Sequence, residues 1–432
     1  MYKRQVDDIP LLVAEFEKSK LSELLNQFFP DHGNWLRLNS GKVTVGFLTY
    51  ILSCSDHRIS HVETWAKERL NTLRFSLDSE HLSAKDFTDD KLGSLLDKYS
   101  NDDSWTSFEH AHNQNLINVY NLNLKDEAIR LDAMITQSHR EAKGDFQFGH
   151  SKQHRADLPQ LKTMIATLDP LSIPLYSVTV SGNTADDVLL YLPVIEELIK
   201  NLPLLEQLFV GDSKMGSINT RGQIHKNGHY YLVPLSKKQC SEDELLAYLA
   251  KKPTDLVRLI TQSKDGIDQI KAEAFEQVAQ IENEDLGICW EERRLIVYSP
   301  AYAKRQQVGL ETRLDKALKA LESILESKQG RKQPQTLAEL EQVVNNILKQ
   351  YRVNGLIDVQ INEEISTKKV RKHLDRPEEI RKSSQFTLNF EVNKEAKEQK
   401  INQLGWRAYA CNAPMSRLST SDAILCYRDE YK

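Results

Sequence analysis

Two carboxylates, Asp132 and Asp212, stand 80 residues apart in a chain of 432, and their surroundings suit shared chemistry. In Ala128-Ile-Arg-Leu-Asp-Ala-Met-Ile135 the apolar residues Ile129, Leu131, Ala133 and Ile135 alternate with Arg130, Asp132 and Met134. That period of two is the pattern of a strand with one face on a core, and it sends Asp132 out of the other face. Leu208-Phe-Val-Gly-Asp212 reads instead as a buried central strand that delivers a charge to its mouth. On neighbouring strands two such carboxylates could share divalent cations, which take oxygen ligands. A lone Asp at a strand end is more often a turn or cap residue, so the residues around the pair must decide.

The elements that would position the pair fall in residues 126–235. After the Asp132 strand come strands at Lys162–Leu168 and Ile173–Val180, with Pro170 as punctuation between them. Gly182-Asn-Thr-Ala-Asp-Asp187 then turns into a helix that runs to about Asn201 with Pro193 inside it. Thr184 suits its N-cap, and Asp186 and Asp187 suit its first turn, where the helix dipole favours negative charge. Those two aspartates are therefore read as capping groups and not as catalysts.

Residues 1–120 read as helices only. Leu11, Leu12, Phe16, Leu21, Leu24, Leu25 and Phe28 recur at three- and four-residue spacing until Pro30-Asp-His-Gly33 breaks the run. Gly41–Ser53, Val62–Leu77 and Ser104–Tyr120 continue as amphipathic helices. His110 and His112 lie about 200° apart around the last of these, which argues against a shared metal. Residues 237–404 are long-patterned and charged, with helical character assigned to Asp243–Leu249, Pro253–Ile270, Ala272–Glu282 and Leu310–Lys328. In the last of these Leu314, Leu318, Leu321 and Leu325 form one stripe, which suits a short coiled coil or a bundle helix, and at fewer than three heptads the bundle is favoured. Gln329-Gly-Arg-Lys-Gln-Pro-Gln335 is a polar break, expected to be a mobile loop. Residues 405–432 end the chain with a strand at Trp406–Ala410, a turn at Asn412-Ala-Pro414 and a helix capped by Ser419-Thr-Ser-Asp422.

Composition narrows the class. No run approaches the roughly 18 apolar residues of a membrane span, and MYKRQVDDIP lacks a signal-peptide core, so a cytoplasmic protein with no membrane partner is expected. Cys54, Cys240, Cys289, Cys411 and Cys426 are odd in number and include no C-x-x-C pair, which fits reduced thiols better than disulfides or zinc. The net charge of -5 is unevenly spread: residues 1–120 hold 13 Lys+Arg against 18 Asp+Glu, and residues 301–383 hold 17 against 12. Contact with a DNA backbone would lean on the later segment, including Lys368-Lys-Val-Arg-Lys372, unless that run is simply a solvated face.

Several blocks, in order, resemble bacterial insertion-sequence transposases of the DDE class, in the branch with a YREK signature around its last acid. They are Phe148-Gly-His-Ser-Lys-Gln-His-Arg-Ala-Asp-Leu-Pro-Gln-Leu-Lys162, Val210-Gly-Asp-Ser-Lys-Met-Gly-Ser217, Tyr230-Tyr-Leu-Val-Pro-Leu235 and Trp290-Glu-Glu-Arg-Arg-Leu-Ile-Val297. Gly405-Trp-Arg-Ala-Tyr409, Asn412-Ala-Pro414 and Tyr427-Arg-Asp-Glu-Tyr431 extend the likeness over nearly the whole chain. The resemblance implies an α/β fold: a ribonuclease-H-like core, an N-terminal all-α domain that engages terminal repeats or dimerises, and a large, mainly helical insertion at 237–404. It implies Asp132 and Asp212 as the first two members of a catalytic triad that binds Mg2+ or Mn2+, and DNA as partner, both terminal repeats and target. A homodimer fits the same picture. Lys152, His154 and Arg155 lie in the most family-like block and could hold phosphates; surface or packing roles fit them as well. Trp290 and Trp406 could stack on a base, though tryptophan is more often a core residue.

One departure matters. If Tyr427 is the Tyr of the family's Y-x2-R-x3-E pattern, Glu430 stands where the Arg belongs and the Glu falls two residues beyond Lys432. The expectation is a transposase that is inactive as this chain, because two metals need carboxylates from separate elements. Glu430 lies about one turn before the expected position and could substitute. The rival expectation is a non-catalytic product that binds DNA or the full-length protein and inhibits it. A third is a helical structural protein whose two aspartates are incidental.

Overall fold

Apolar residues at three- and four-residue spacing become helices throughout the first 120 residues of the computed structural model, which describes residues 6–31, 35, 37–151, 154–184, 188–262, 268–326, 334, 336–370 and 379–428. The helices are α1 (Ile9–Lys18), α2 (Leu21–Phe28), α3 (Ser40–Cys54), α4 (Val62–Glu68), α5 (Leu70–Ser76), α6 (Asp89–Lys98) and α7 (Asp102–Tyr120). Asn39, Thr88 and Asn101 start α3, α6 and α7 by accepting a backbone N–H with their side-chain oxygens. Leu25, Phe29, Val43, Leu73 and Phe87 are among the residues of their common core. The expected helix at Val62–Leu77 is split at Arg69, and α6 was not anticipated.

By internal contacts the chain divides into two units, Met1–Val233 with Ile281–Trp290, and Pro234–Gln280 with Glu291–Lys432. In the first, the helices are followed by β1 (Ala128–Gln137), β2 (Gln160–Leu168), β3 (Ile173–Ser181), α8 (Val188–Asn201), β4 (Leu208–Gly211), α9 (Ile218–Lys226) and β5 (Tyr230–Pro234). The strand order is β3-β2-β1-β4-β5. β2 is antiparallel to both β1 and β3, and β4 is parallel to both β1 and β5. β4 is buried throughout, as a central parallel strand should be. On β1 Leu131 and Ala133 are buried while Asp132 and Met134 are exposed, the expected alternation.

In the second unit are α10 (Glu242–Ala250), β6 (Val257–Gln262), β7 (Asp268–Asn283), β8 (Ile288–Tyr298), α11 (Pro300–Glu322), α12 (Leu337–Gln350), β9 (Ile357–Val370), β10 (Glu379–Val392), α13 (Lys394–Asn402), β11 (Trp406–Cys411) and α14 (Thr420–Arg428); the 281–290 ends of β7 and β8 count with the first unit. The helical reading of Pro253–Ile270 and Ala272–Glu282 is corrected: these residues carry β6 and β7, antiparallel with Val257 opposite Ala274. Ala, Glu, Gln and Lys favour helix in isolation. Cross-strand pairing overrides that preference, with Ala272 and Ala274 buried two apart. Residues 357–370 and 379–392 likewise form a long antiparallel ribbon, so the 237–404 segment is mixed and not mainly helical. Its base, including Val359, Ile361, Phe386 and Leu388, packs with Leu314 and Leu321 of α11 and Val344 of α12, so the leucine stripe faces a second helix and a β-ribbon. Lys368, Lys369 and Val370 end β9, while the rest of the Lys368–Lys372 run and the Gln329–Gln335 break, apart from Pro334, lie outside the described residues.

The helical domain is joined to the sheet through α7 and β3. Glu109 of α7 accepts hydrogen bonds from the backbone N–H and hydroxyl of Ser177, at 3.0 and 3.2 Å. Burial pushes its carboxyl from 4.5 up to about 7, against the pull of those two donors. The folded state thus holds this proton more tightly than the unfolded chain does. Its stabilising share is complete below about 4.5 and is lost as pH rises through about 7. Glu109→Gln should therefore melt higher than the parent at pH 8 and near the parent at pH 4; parallel melting curves across that range would contradict the assignment.

Candidate active site

The carboxylate pair is built by register. β1 and β4 run parallel with Ala128 opposite Leu208, Ile129 opposite Phe209, Arg130 opposite Val210 and Leu131 opposite Gly211. Asp132 and Asp212 are the next residues on each strand. Neighbouring strands lie about 4.8 Å apart, and each acid follows directly on the last paired residue of its strand, Leu131 or Gly211. Asp132 is in mid-strand, since β1 continues to Gln137, whereas Asp212 follows the last residue of β4.

Gly211 has a steric reason to be glycine. A Cβ there would sit 2.5 Å from the sulfur of Met215, which is fully buried. The turn after β4 can therefore fold tightly beneath Asp212.

The two carboxylates are held differently. Asp212 is partly buried, and its Oδ1 accepts hydrogen bonds from the Tyr191 hydroxyl and from the Lys214 backbone N–H, both at 2.8 Å. Asp132 is exposed, and its Oδ1 accepts from the Ala133 backbone N–H at 2.8 Å. Neither is the N-cap of a described helix, but the Lys214 bond, two residues on, is that of a turn residue, so the turn role holds for Asp212. On the same strand Arg130 pairs with Asp169, Nε to Oδ1 at 2.8 Å. Lys162 of β2 is buried and donates to the carbonyl of Thr184 at 2.5 Å. Oxygen donors suit Mg2+ or Mn2+, and two carboxylates are a sufficient start for an ion that keeps several waters. Among the described residues no group of three or more His, Cys, Asp and Glu is arranged to hold a metal.

The other expected residues are more scattered. Ser151 ties the family-like block to the far end of β1, its hydroxyl accepting from Gln137 Nε2 at 2.8 Å and from the Arg155 N–H at 3.0 Å. Along the strand that anchor is roughly 17 Å from Asp132, five residues at the extended rise. His154 is exposed with a left-handed backbone, φ 59°. Arg155 is exposed and paired with Asp157 at 2.8 Å. Lys152, Asp186, Asp187 and Glu430 lie outside the described residues. Trp290 is buried, donating to the Tyr231 hydroxyl at 2.7 Å and stacked on His225, and Trp406 is buried beside Phe275, so both serve cores. His110 lies 3.5 Å from Glu197 while His112 stacks on Phe108. Tyr191 was not anticipated: inside Val188–Asn201 it reads as one more apolar position.

Among the described residues no helix is long and apolar enough to cross a membrane. No protein-family model and no curated protein matches the chain. Among solved structures it is similar to a piggyBac transposase synaptic complex with hairpin DNA, over 81% of this chain and 75% of that one, at 8% identity and a TM-score of 0.29. Likeness at that level says nothing of fold or chemistry.

Proposed function

We propose that this chain is a DNA transposase of the DDE class, in which Asp132 and Asp212 of a ribonuclease-H-like core hold Mg2+ or Mn2+ for strand cleavage and transfer. The observation that supports the reading is the β1–β4 register, whose last pair is Leu131 opposite Gly211, with Asp132 the next residue of β1 and Asp212 the first residue after β4. The sheet order β3-β2-β1-β4-β5, with its antiparallel half and its parallel half, supports the core assignment. A bound divalent ion would activate water or a 3'-hydroxyl and stabilise the leaving oxygen. The protein's share is to fix the carboxylates, with DNA as the partner at element ends and target.

A second reading is binding without cleavage, as a product that pairs with and inhibits an active transposase. It is favoured by the want of a third metal-capable side chain grouped with the pair among the described residues. A nicking assay on DNA from the ends flanking the coding region, in Mg2+ or Mn2+, separates the two. If this chain nicks the ends, a drop of at least about 100-fold in both Asp132→Ala and Asp212→Ala is the expected result, by the scale on which lost catalytic interactions act. Adding Glu430→Ala shows whether that residue supplies the third acid. Binding of the ends without nicking would favour the second reading, and nicking untouched by either aspartate substitution would overturn the first.

A further inference from the structure

We infer that Tyr191 is a positioning residue for the metal carboxylate Asp212; the inference rests on the reading of Asp132 and Asp212 as a cation site. Tyr191 lies on α8 and is 1% exposed. A buried phenol hydroxyl needs a partner, and this one spends its proton on Asp212 Oδ1 at 2.8 Å. The Lys214 N–H reaches the same oxygen at 2.8 Å. Two donors on one oxygen fix the carboxylate plane and leave Oδ2 as the oxygen for a cation. Asp132 has no such clamp, because the donor to its carboxylate is the N–H of the next residue. The pair is thus asymmetric: one rigid ligand on which the ion is sited, and one exposed ligand that closes on it.

Hydrogen-bond partners behind a ligand orient it and raise affinity, and removing one typically costs 10- to 100-fold in metal binding. Tyr191→Phe keeps the ring and its packing and removes only the hydroxyl. Mn2+ alone is titrated into the full chain, with calorimetry or the spin-resonance signal of free Mn2+ as the readout. Mn2+ affinity is expected to fall about 10-fold or more; a packing role would leave it unchanged. Should Tyr191→Phe fail to fold, a ring-fluorinated tyrosine at the same position, a stronger donor of nearly the same shape, is expected to raise Mn2+ affinity. Parent-like affinity in folded Tyr191→Phe, or in the folded fluorinated protein, would overturn the role of Tyr191 and leave the cation site standing. A parent protein that binds no Mn2+ would overturn both.

Discussion

The pair of acids depends on the parallel ladder between β1 and β4. Its register runs from Ala128 opposite Leu208 to Leu131 opposite Gly211, and the next step on both strands is an aspartate. A slip of one residue would turn every side chain of a strand to the other face. Burial guards against that slip: β4 is buried at all its positions, and Leu131 and Ala133 of β1 are buried on the face opposite Asp132. Gly211 adds a local constraint, because any side chain there would collide with Met215. The placement of two charges is thus enforced by apolar contacts that have no part in the chemistry.

Electrostatics then distinguishes the two acids. Bringing carboxylates side by side is unfavourable unless a cation or hydrogen bonds compensate. Asp212, partly buried, receives a phenol and an amide; Asp132, exposed, keeps its water and receives one amide. Carboxylates of this kind remain good ligands for a hard cation, and among the described residues no ion pair joins either one to a lysine or arginine. The basic groups close by in the fold are engaged elsewhere, Arg130 with Asp169 and Lys162 with the carbonyl of Thr184.

Much of this was legible in the sequence, because it follows from short-range pattern. The alternation around Asp132, the apolar run before Asp212, the strands at 162–168 and 173–180, and the helical character of the first 120 residues, though not α6 or the break at Arg69, read directly from periodicity. What periodicity misread was β6 and β7, where Ala272, Glu273, Ala274 and Glu276 carry helical preference while their long-range pairing makes a strand. The ribbon of β9 and β10 was missed amid charge, although Phe386, Leu388 and Phe390 do alternate. Tyr191 could not be found at all, since its hydrogen bond to Asp212, 21 residues on, exists only in the folded chain. Trp290 shows the other case: of the two roles its type allowed, base stacking or core, its burial and its hydrogen bond to Tyr231 place it in the core.

The most direct test is to locate a cation by diffraction. Crystals of the full chain grown with Mn2+ are expected to show an anomalous peak between Asp132 and Asp212, at coordination distance of roughly 2.1 Å from an oxygen of each. Ordered Mn2+ bound elsewhere while this position stays empty, or an ion held by one aspartate with the other turned away, would contradict the shared site.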